Sequence, residues 1–277
     1  MSAYENYKLT SSYFDKTRAP IGIDIIRKEL KKNILSLKNQ VIIDAGCGTG
    51  LYSKALINEV KFIAAVDINK EMVEKAKNRL RNKKNISFHI KRINSLPFNN
   101  NFADAILVNQ VLHHLPDNSK LFWLEHRKVF KEFFRVLKPR GCLIINSCSH
   151  NQLKKGFWYY HLIPKALNSI LEKTIDLSKL IEILQFEGFS NINQKIPFHL
   201  TLQGDKYFNK NGILDQKWRS GDSIWSLVSD DTLSKIISKI SKLKDTKSLD
   251  SYIQENDKNR HSCGQITFTF ARKKVLS

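Results

Sequence analysis

The stretch VIIDAGCGTG (41–50) decides how this chain is read. A short apolar run ends in three glycines at alternate positions, Gly46, Gly48 and Gly50, and SKALINEV (53–60) then takes up helical spacing. A strand that breaks into glycines and turns straight into a helix lets a ligand approach the backbone where side chains would block it. The next apolar run, FIAAVD (62–67), ends in a carboxylate, Asp67. EMVEKAKNRL (71–80) puts Met72, Val73, Ala76 and Leu80 on one helical face, ISFHI (86–90) alternates as a third strand, and DAILVNQV (104–111) reads as a buried fourth. Residues 119–137 are predicted to form a helix with Leu121, Leu124, Phe130, Phe133, Phe134 and Leu137 inward. KPRG (138–141) stops it, and CLIINS (142–147) is the fifth strand. Strand alternating with helix at this pace predicts an α/β fold, a parallel sheet covered on both faces.

Outside this core the pattern is looser. Residues 1–38 read as amphipathic helix, with Ile21, Ile25, Ile26, Leu30 and Ile34 spaced for one face and Pro20 near the start. Residues 177–188 read as a helix closed by Gly188. INQKIPFHL (192–200) is a candidate sixth strand, and QITFTFA (265–271) alternates as a final edge strand. Residues 199–262 form a mostly polar insertion with a helix over 231–244. On it Leu233, Ile236, Ile237 and Ile240 share a face, and the lysines mostly lie away from it on a solvated surface. With no repeat and no flexible linker, residues 1–277 are expected to be one domain. Its expected parts are a helical cap (1–38), a cofactor-binding core (39–150), lid-like insertions (151–177 and 199–262) and remaining core elements (178–198 and 263–277).

Composition excludes several classes. With 277 residues, 42% of them hydrophobic, and few Gly, Pro or Cys, the chain is neither collagen-like, disordered nor a disulfide scaffold. No apolar run approaches the roughly 18 residues of a spanning helix, and the N-terminus has no apolar signal region. Cys47, Cys142, Cys148 and Cys263 are scattered without a CxxC pair, which suits free thiols in the cytoplasm. The formal charge of +20 is compatible with a nucleic-acid partner. The excess is mostly lysine, however, and Lys, Asn and Ile abound together, as A/T-rich codons alone would produce; nucleic acid is therefore not the favoured partner.

The glycine turn admits two ligand classes. In the dinucleotide fingerprint GxGxxG the third glycine, counted from Gly46, would fall at position 51, which is Leu51. The chain carries instead DxGxGxG, Asp44 to Gly50. A negative Asp44 suits a cationic ammonium or sulfonium better than a pyrophosphate, which favours S-adenosylmethionine. Asp67, ending the second strand, is placed to accept hydrogen bonds from both ribose hydroxyls.

Four pieces in order, VIIDAGCGTG (41–50), AAVDIN (64–69), SLPFNNNFADAILVNQVLHHLPD (95–117) and FFRVLKPRGCLIINS (133–147), give a core that resembles the class I S-adenosylmethionine-dependent methyltransferases, in particular the ubiquinone and menaquinone biosynthesis branch. The resemblance implies a Rossmann-like, seven-stranded, mostly parallel sheet with helices on both faces and an antiparallel last strand. It implies S-adenosylmethionine as cofactor, leaving as S-adenosylhomocysteine after in-line methyl transfer. Asp44, Gly46, Cys47 and Gly48 would lie at its methionyl part, with Gly50 also among the cofactor-binding residues, Asp67 on the ribose, and Ile68 and Met72 against the adenine. Asn109 and Gln110 would face the methionyl group and the acceptor. In YFDKTRAP (13–20), Tyr13 and Arg18 would close over the cofactor. The chain departs from the family at Arg92, where an acid commonly accepts from the adenine amino group; that contact passes to Ile93 and Asn94.

The acceptor side is less defined. His113 and His114 are candidates for a general base, with packing of the VLHHL segment as the alternative. Phe157, Trp158, Tyr159, Tyr160, Trp218 and Trp225 offer aromatic surface for a small-molecule acceptor, or the core of a lid that touches no substrate. No His, Cys and acid set shows metal-ligand spacing. The leading expectation is methyl transfer to a small organic acceptor at O, N or C. The alternatives are an RNA or protein methyltransferase and a non-catalytic cofactor binder.

Overall fold

The computed structural model describes residues 19–275. The first helix among the described residues, α1 (Ile23–Leu30), buries Ile25, Ile26 and Leu30. It is tied to the far end of the chain, because the buried Glu29 accepts from Arg272 at 2.6 Å. Gly22 starts it at φ 71°, and a Cβ there would lie 2.3 Å from the Phe268 ring. The helix ends earlier than expected. The chain turns away after Leu30 to reach the first strand, so Ile34 is exposed rather than on the buried face.

The core then follows the expected alternation: β1 (Val41–Ala45), α2 (Leu51–Leu56), β2 (Phe62–Asp67), α3 (Lys70–Arg79), β3 (Ile86–Ile90), β4 (Ala103–Asn109), α4 (Leu124–Val136) and β5 (Leu137–Ser147). Beyond it come α5 (His150–Lys155), α6 (Pro164–Lys173), α7 (Leu177–Phe186), β6 (Phe189–Lys195), α8 (Gln216–Arg219), α9 (Asp230–Asp245), α10 (Leu249–Asp257), α11 (Arg260–Cys263) and β7 (Thr267–Lys273). The strands form one seven-stranded sheet, ordered β3-β2-β1-β4-β5-β7-β6. β1 to β5 pair in parallel, whereas β7 runs antiparallel to both neighbours, with Ile144 opposite Phe270 and Phe189 opposite Lys273.

Alternate residues of each strand feed two cores. Ile42, Ile63, Leu107, Ile144, Phe268 and Phe270 pack on one face with α1 and the insertion aromatics. Ile43, Val66, Ile106, Val108 and Ile145 pack on the other with α4 and α7. Such double coverage is why the central strands read as continuous apolar runs.

Three expectations are corrected. QITFTFA is not at the edge: β7 is inserted between β5 and β6, and both its faces are covered. Its alternation comes from threonines that are themselves buried, Thr267 and Thr269. The helix at 119–137 begins only at Leu124, after a 3-10 turn at Ser119–Leu121 and two residues, Phe122 and Trp123, at φ 52° and 57°. Leu121 and Leu124 are therefore exposed while Trp123 turns inward. The sixth strand starts at Phe189, immediately after Gly188 at φ 94°, so PFHL lies outside it. The helix foreseen at 231–244 is α9, with Ile236 and Ile240 buried.

Candidate active site

The carboxyl ends of β1 and β2 are fastened to each other before any ligand is considered. Gly46 and Cys47 both donate their N–H to the Val66 carbonyl, at 2.8 and 3.0 Å. Gly48 donates to Asp67 Oδ2 at 2.9 Å, and Asn69 donates to Asp67 Oδ1 at 2.8 Å. Asn69 in turn caps α3 by accepting from Met72 N–H at 3.0 Å. Burial raises the Asp67 carboxyl above its usual range, against the hydrogen bonds from these backbone groups.

The three glycines do different work. At Gly46 (φ 78°) a Cβ would lie 2.4 Å from Val111 Cγ2, so the chain passes too close to the β4 loop for a side chain. At Gly50 (φ 79°) it would press on Ala76 and Leu80 of the α3 segment. At Gly48 (φ 51°) it would meet nothing within 4 Å. Gly46 and Gly48 line a cavity of about 250 Å³; Gly50 does not, and its place is explained by packing against α3. Asp44 also lies outside the cavity wall. It is buried beneath the turn, accepts from Ser53 Oγ at 2.6 Å, and is pushed up to about 6 by burial. Cys47 lines the cavity, its thiol pushed well up by burial and by the nearby Asp44 and Asp67 charges.

Asp67, Ile68, Met72, Ile93, Asn94, Asn109 and Gln110 are all in the same wall. Among the described residues, both amide atoms of Asn109 are buried without a hydrogen-bond partner, as is Ser147 Oγ on the adjoining strand end. Orphaned polar atoms at a cavity wall are costly unless a ligand satisfies them. Gln110 adopts φ 54°, uncommon for a non-glycine residue. It is held there by its N–H to Asn146 O at 2.9 Å and its Nε2 to Asn146 Oδ1 at 3.1 Å. The donor set fits the zwitterionic, hydroxyl-bearing cofactor expected from sequence: open backbone at Gly48, a carboxylate at Asp67 and an unsatisfied amide at Asn109.

Arg92 lines the wall beyond β3, but an acid reaches it from elsewhere. Glu125, in the first turn of α4, also lines the cavity and accepts from Asn94 Nδ2 at 2.9 Å. Sequence reasoning missed Glu125 because it comes from a helix more than thirty residues on and looks like an ordinary acid in a first turn. His113 and His114 sit on a 3-10 turn after β4, both in the wall, their ring centroids 4.1 Å apart. Asp117 holds this segment to α4 by accepting from both the backbone N–H and the ring of His126, each at 3.0 Å.

Of the six aromatic acceptor candidates, only Tyr160 lines the cavity. Phe157, Trp158, Tyr159, Trp218 and Trp225 are buried behind it. Tyr159 stacks on Trp225 and meets Trp218 edge-on, with centroids 5.7 and 5.2 Å apart. These five pack in the core cluster that joins α6 and the insertion to the sheet. The insertion instead supplies the wall with Leu202, Gly221, Asp222, Ser223 and Ile224. Tyr13 and Arg18 lie outside the described residues. Among the described residues no helix is long and apolar enough to cross a membrane.

Comparison with known proteins accords with this geometry. A family model described as a methyltransferase domain matches residues 36–195. The chain is similar to the demethylmenaquinone methyltransferase of Lactococcus lactis, 30% identical over 183 residues that make up 62% of this chain and 69% of that one. It is also similar to the ubiquinone/menaquinone biosynthesis C-methyltransferase of Wigglesworthia glossinidia, 29% identical over 197 residues, 65% of this chain and 76% of the other. A crystal structure from Anabaena variabilis, described as a methyltransferase from an antibiotic biosynthesis pathway, superposes with a TM-score of 0.71 at 20% identity. It covers 94% of this chain and 99% of that one, and speaks for the fold.

Proposed function

The chain belongs to the methyltransferase-domain family and is an S-adenosylmethionine-dependent methyltransferase, and on that premise we propose that it methylates a small organic acceptor enclosed between the sheet and the 199–262 insertion. One observation carries the acceptor class. A single cavity has in its wall both the glycine turn and residues of the insertion, Leu202 and Gly221 to Ile224. A substrate at that end is enclosed by packed side chains. An RNA or protein reading would use the +20 charge, yet among the described residues the Lys and Arg of the wall are Lys91 and Arg92, beyond β3 on the other side of the sheet order.

When bound, S-adenosylmethionine supplies an electrophilic methyl group on a sulfonium, so the protein's part is alignment and exclusion of water. Asp67 accepts from the ribose hydroxyls; Asn109, with Gly46 and Gly48, holds the methionyl part. Ile68, Met72 and Ile93 pack on the adenine, and the Asn94 and Glu125 oxygens receive its amino group. Tyr13 and Arg18 belong to the proposed cap. His113 and His114 line the wall and take a proton where the acceptor must lose one. Residues 151–177 and 199–262 act as the lid that encloses the acceptor. We place the protein in the cytoplasm; its four cysteines are buried and none is joined in a disulfide.

Calorimetric titration tests the cofactor assignment. S-adenosylhomocysteine is expected to bind the wild type at one site and NAD is not. Binding of NAD alone would overturn it.

A further inference from the structure

Asp222 stands apart from every other group at the insertion end of the cavity. It is 4% exposed and lines the wall beside Tyr160 and Ile224. Its Oδ2 accepts from Tyr159 Oη at 2.8 Å and Tyr160 Oη at 3.2 Å; among the described residues its Oδ1 receives a long contact, 3.4 Å, from Ile224 N–H. Among the described residues no lysine, arginine or histidine pairs with it. Capping the 3-10 turn at Ser223–Leu227 explains an oxygen at this position but not a carboxylate, since Ser or Asn caps as well without burying charge.

The surroundings reinforce the point. The phenols are donors here, and the Tyr159 hydroxyl is held well above its usual range by burial and by the Asp222 charge, so it stays protonated. The wall contributed by residues 148–224 offers no basic group and is otherwise largely apolar, with Leu153, Ile170 and Leu202. A buried carboxylate without a counter-charge repels an anionic ligand and favours one that brings a positive donor.

We propose that Asp222, held by Tyr159 and Tyr160, recognises an amine-bearing acceptor whose remaining body is apolar. The inference rests on the reading of this cavity as the methyl-transfer site and adds the chemical class of the acceptor. Asp222 is thus a specificity residue: it orients the acceptor through its ammonium or amine N–H.

The test uses the full chain loaded with S-adenosylhomocysteine and titrated with three matched probes: phenethylamine, 2-phenylethanol and 3-phenylpropionate. The amine is expected to bind most tightly and the carboxylate not at all. Asp222→Asn is expected to weaken the amine about tenfold or more, while S-adenosylhomocysteine affinity stays at the wild-type value and Asp222→Glu recovers part of the loss. Equal binding of amine and carboxylate by the wild type overturns the inference, whether or not the variants fold. An unchanged amine affinity in Asp222→Asn overturns it too. Failure of the wild type to bind S-adenosylhomocysteine would strike the underlying reading instead.

Discussion

The Gly48 N–H points at Asp67 Oδ2, 2.9 Å away, so the glycine turn and the carboxylate expected to hold the ribose form one hydrogen-bonded unit. Asp67 also fixes Asn69, which caps α3. Replacing Asp67 removes a ligand contact and two backbone anchors together, while relieving a buried carboxylate. Asp67→Ala is expected to abolish S-adenosylhomocysteine binding yet leave a cooperatively folded chain. Titration calorimetry beside a thermal melt reads both, and wild-type affinity in the variant would remove the ribose assignment.

The glycines separate folding from binding. Gly46→Ala places a Cβ against Val111 as well as straining φ, and is expected to destabilise by about 2 kcal/mol or more. Gly48→Ala meets no protein atom, so it costs only about 1–2 kcal/mol of left-handed backbone strain. Its methyl group projects into the open space where the cofactor must approach. Chemical denaturation should rank Gly46→Ala as the less stable, and Gly48→Ala should still lose cofactor affinity. A Gly48→Ala protein that binds normally would contradict the proposed approach.

Asn109 offers the reverse experiment. Its amide is buried and unsatisfied without ligand, so Asn109→Ala is expected to leave the ligand-free protein as stable as the wild type or slightly more so. Cofactor affinity should fall about tenfold. Denaturation midpoints compared with and without S-adenosylhomocysteine check the pair of outcomes. A large loss of stability in the ligand-free variant would show that Asn109 serves the fold.

Asp44 makes stability depend on pH. Its carboxyl is pushed up to about 6 by burial, with the Ser53 hydrogen bond opposing and the Asp67 charge adding to the rise. Between its ordinary value and about pH 6, the folded chain holds a proton that the unfolded chain has released. Stability from this group therefore falls as pH rises through that window and levels off above it, by about 3 kcal/mol for a two-unit shift. Asp44→Asn should remove this component, so the difference between variant and wild type grows from about pH 4 to about pH 6. Denaturant melts across the range read it, and parallel profiles would refute it.

The aromatic cluster divides by burial. Trp218 is 3% exposed, donates to Lys206 O at 2.8 Å and packs so closely on Gly212 that a Cβ there would lie 2.5 Å from its ring. Trp218→Ala is expected to cost about 3–5 kcal/mol without altering cofactor affinity. Tyr160→Phe, which removes one donor to Asp222 at the cavity wall, should act on acceptor binding with little loss of stability. The opposite pattern would put Trp218 in contact with substrate.

Much of this was legible in the chain because the informative residues are local. The strand, glycine turn, helix and second acid lie within 41–67, and parallel pairing of β1 with β2 brings Gly48 to Asp67. What escaped depends on long-range placement. Glu125 reaches Asn94 across 31 positions. Asp222 meets Tyr159 and Tyr160 across more than sixty, inside a segment whose tryptophans gave the stronger signal. β7 shows the same limit: alternation predicts a strand with two distinct faces but carries no information on its neighbours, and insertion between β5 and β6 buried both. The aromatic run at 157–160 has one composition and two fates, since a single residue of it faces the cavity.

The most direct test of methyl transfer to an enclosed small acceptor is transfer of label from methyl-labelled S-adenosylmethionine into an extract of the source cell, separated into small-molecule, RNA and protein fractions. Label is expected in the small-molecule fraction with the wild type and to vanish with Asp67→Ala. Label in RNA or protein, dependent on Asp67, would contradict the enclosed acceptor and assign the basic surface to substrate binding.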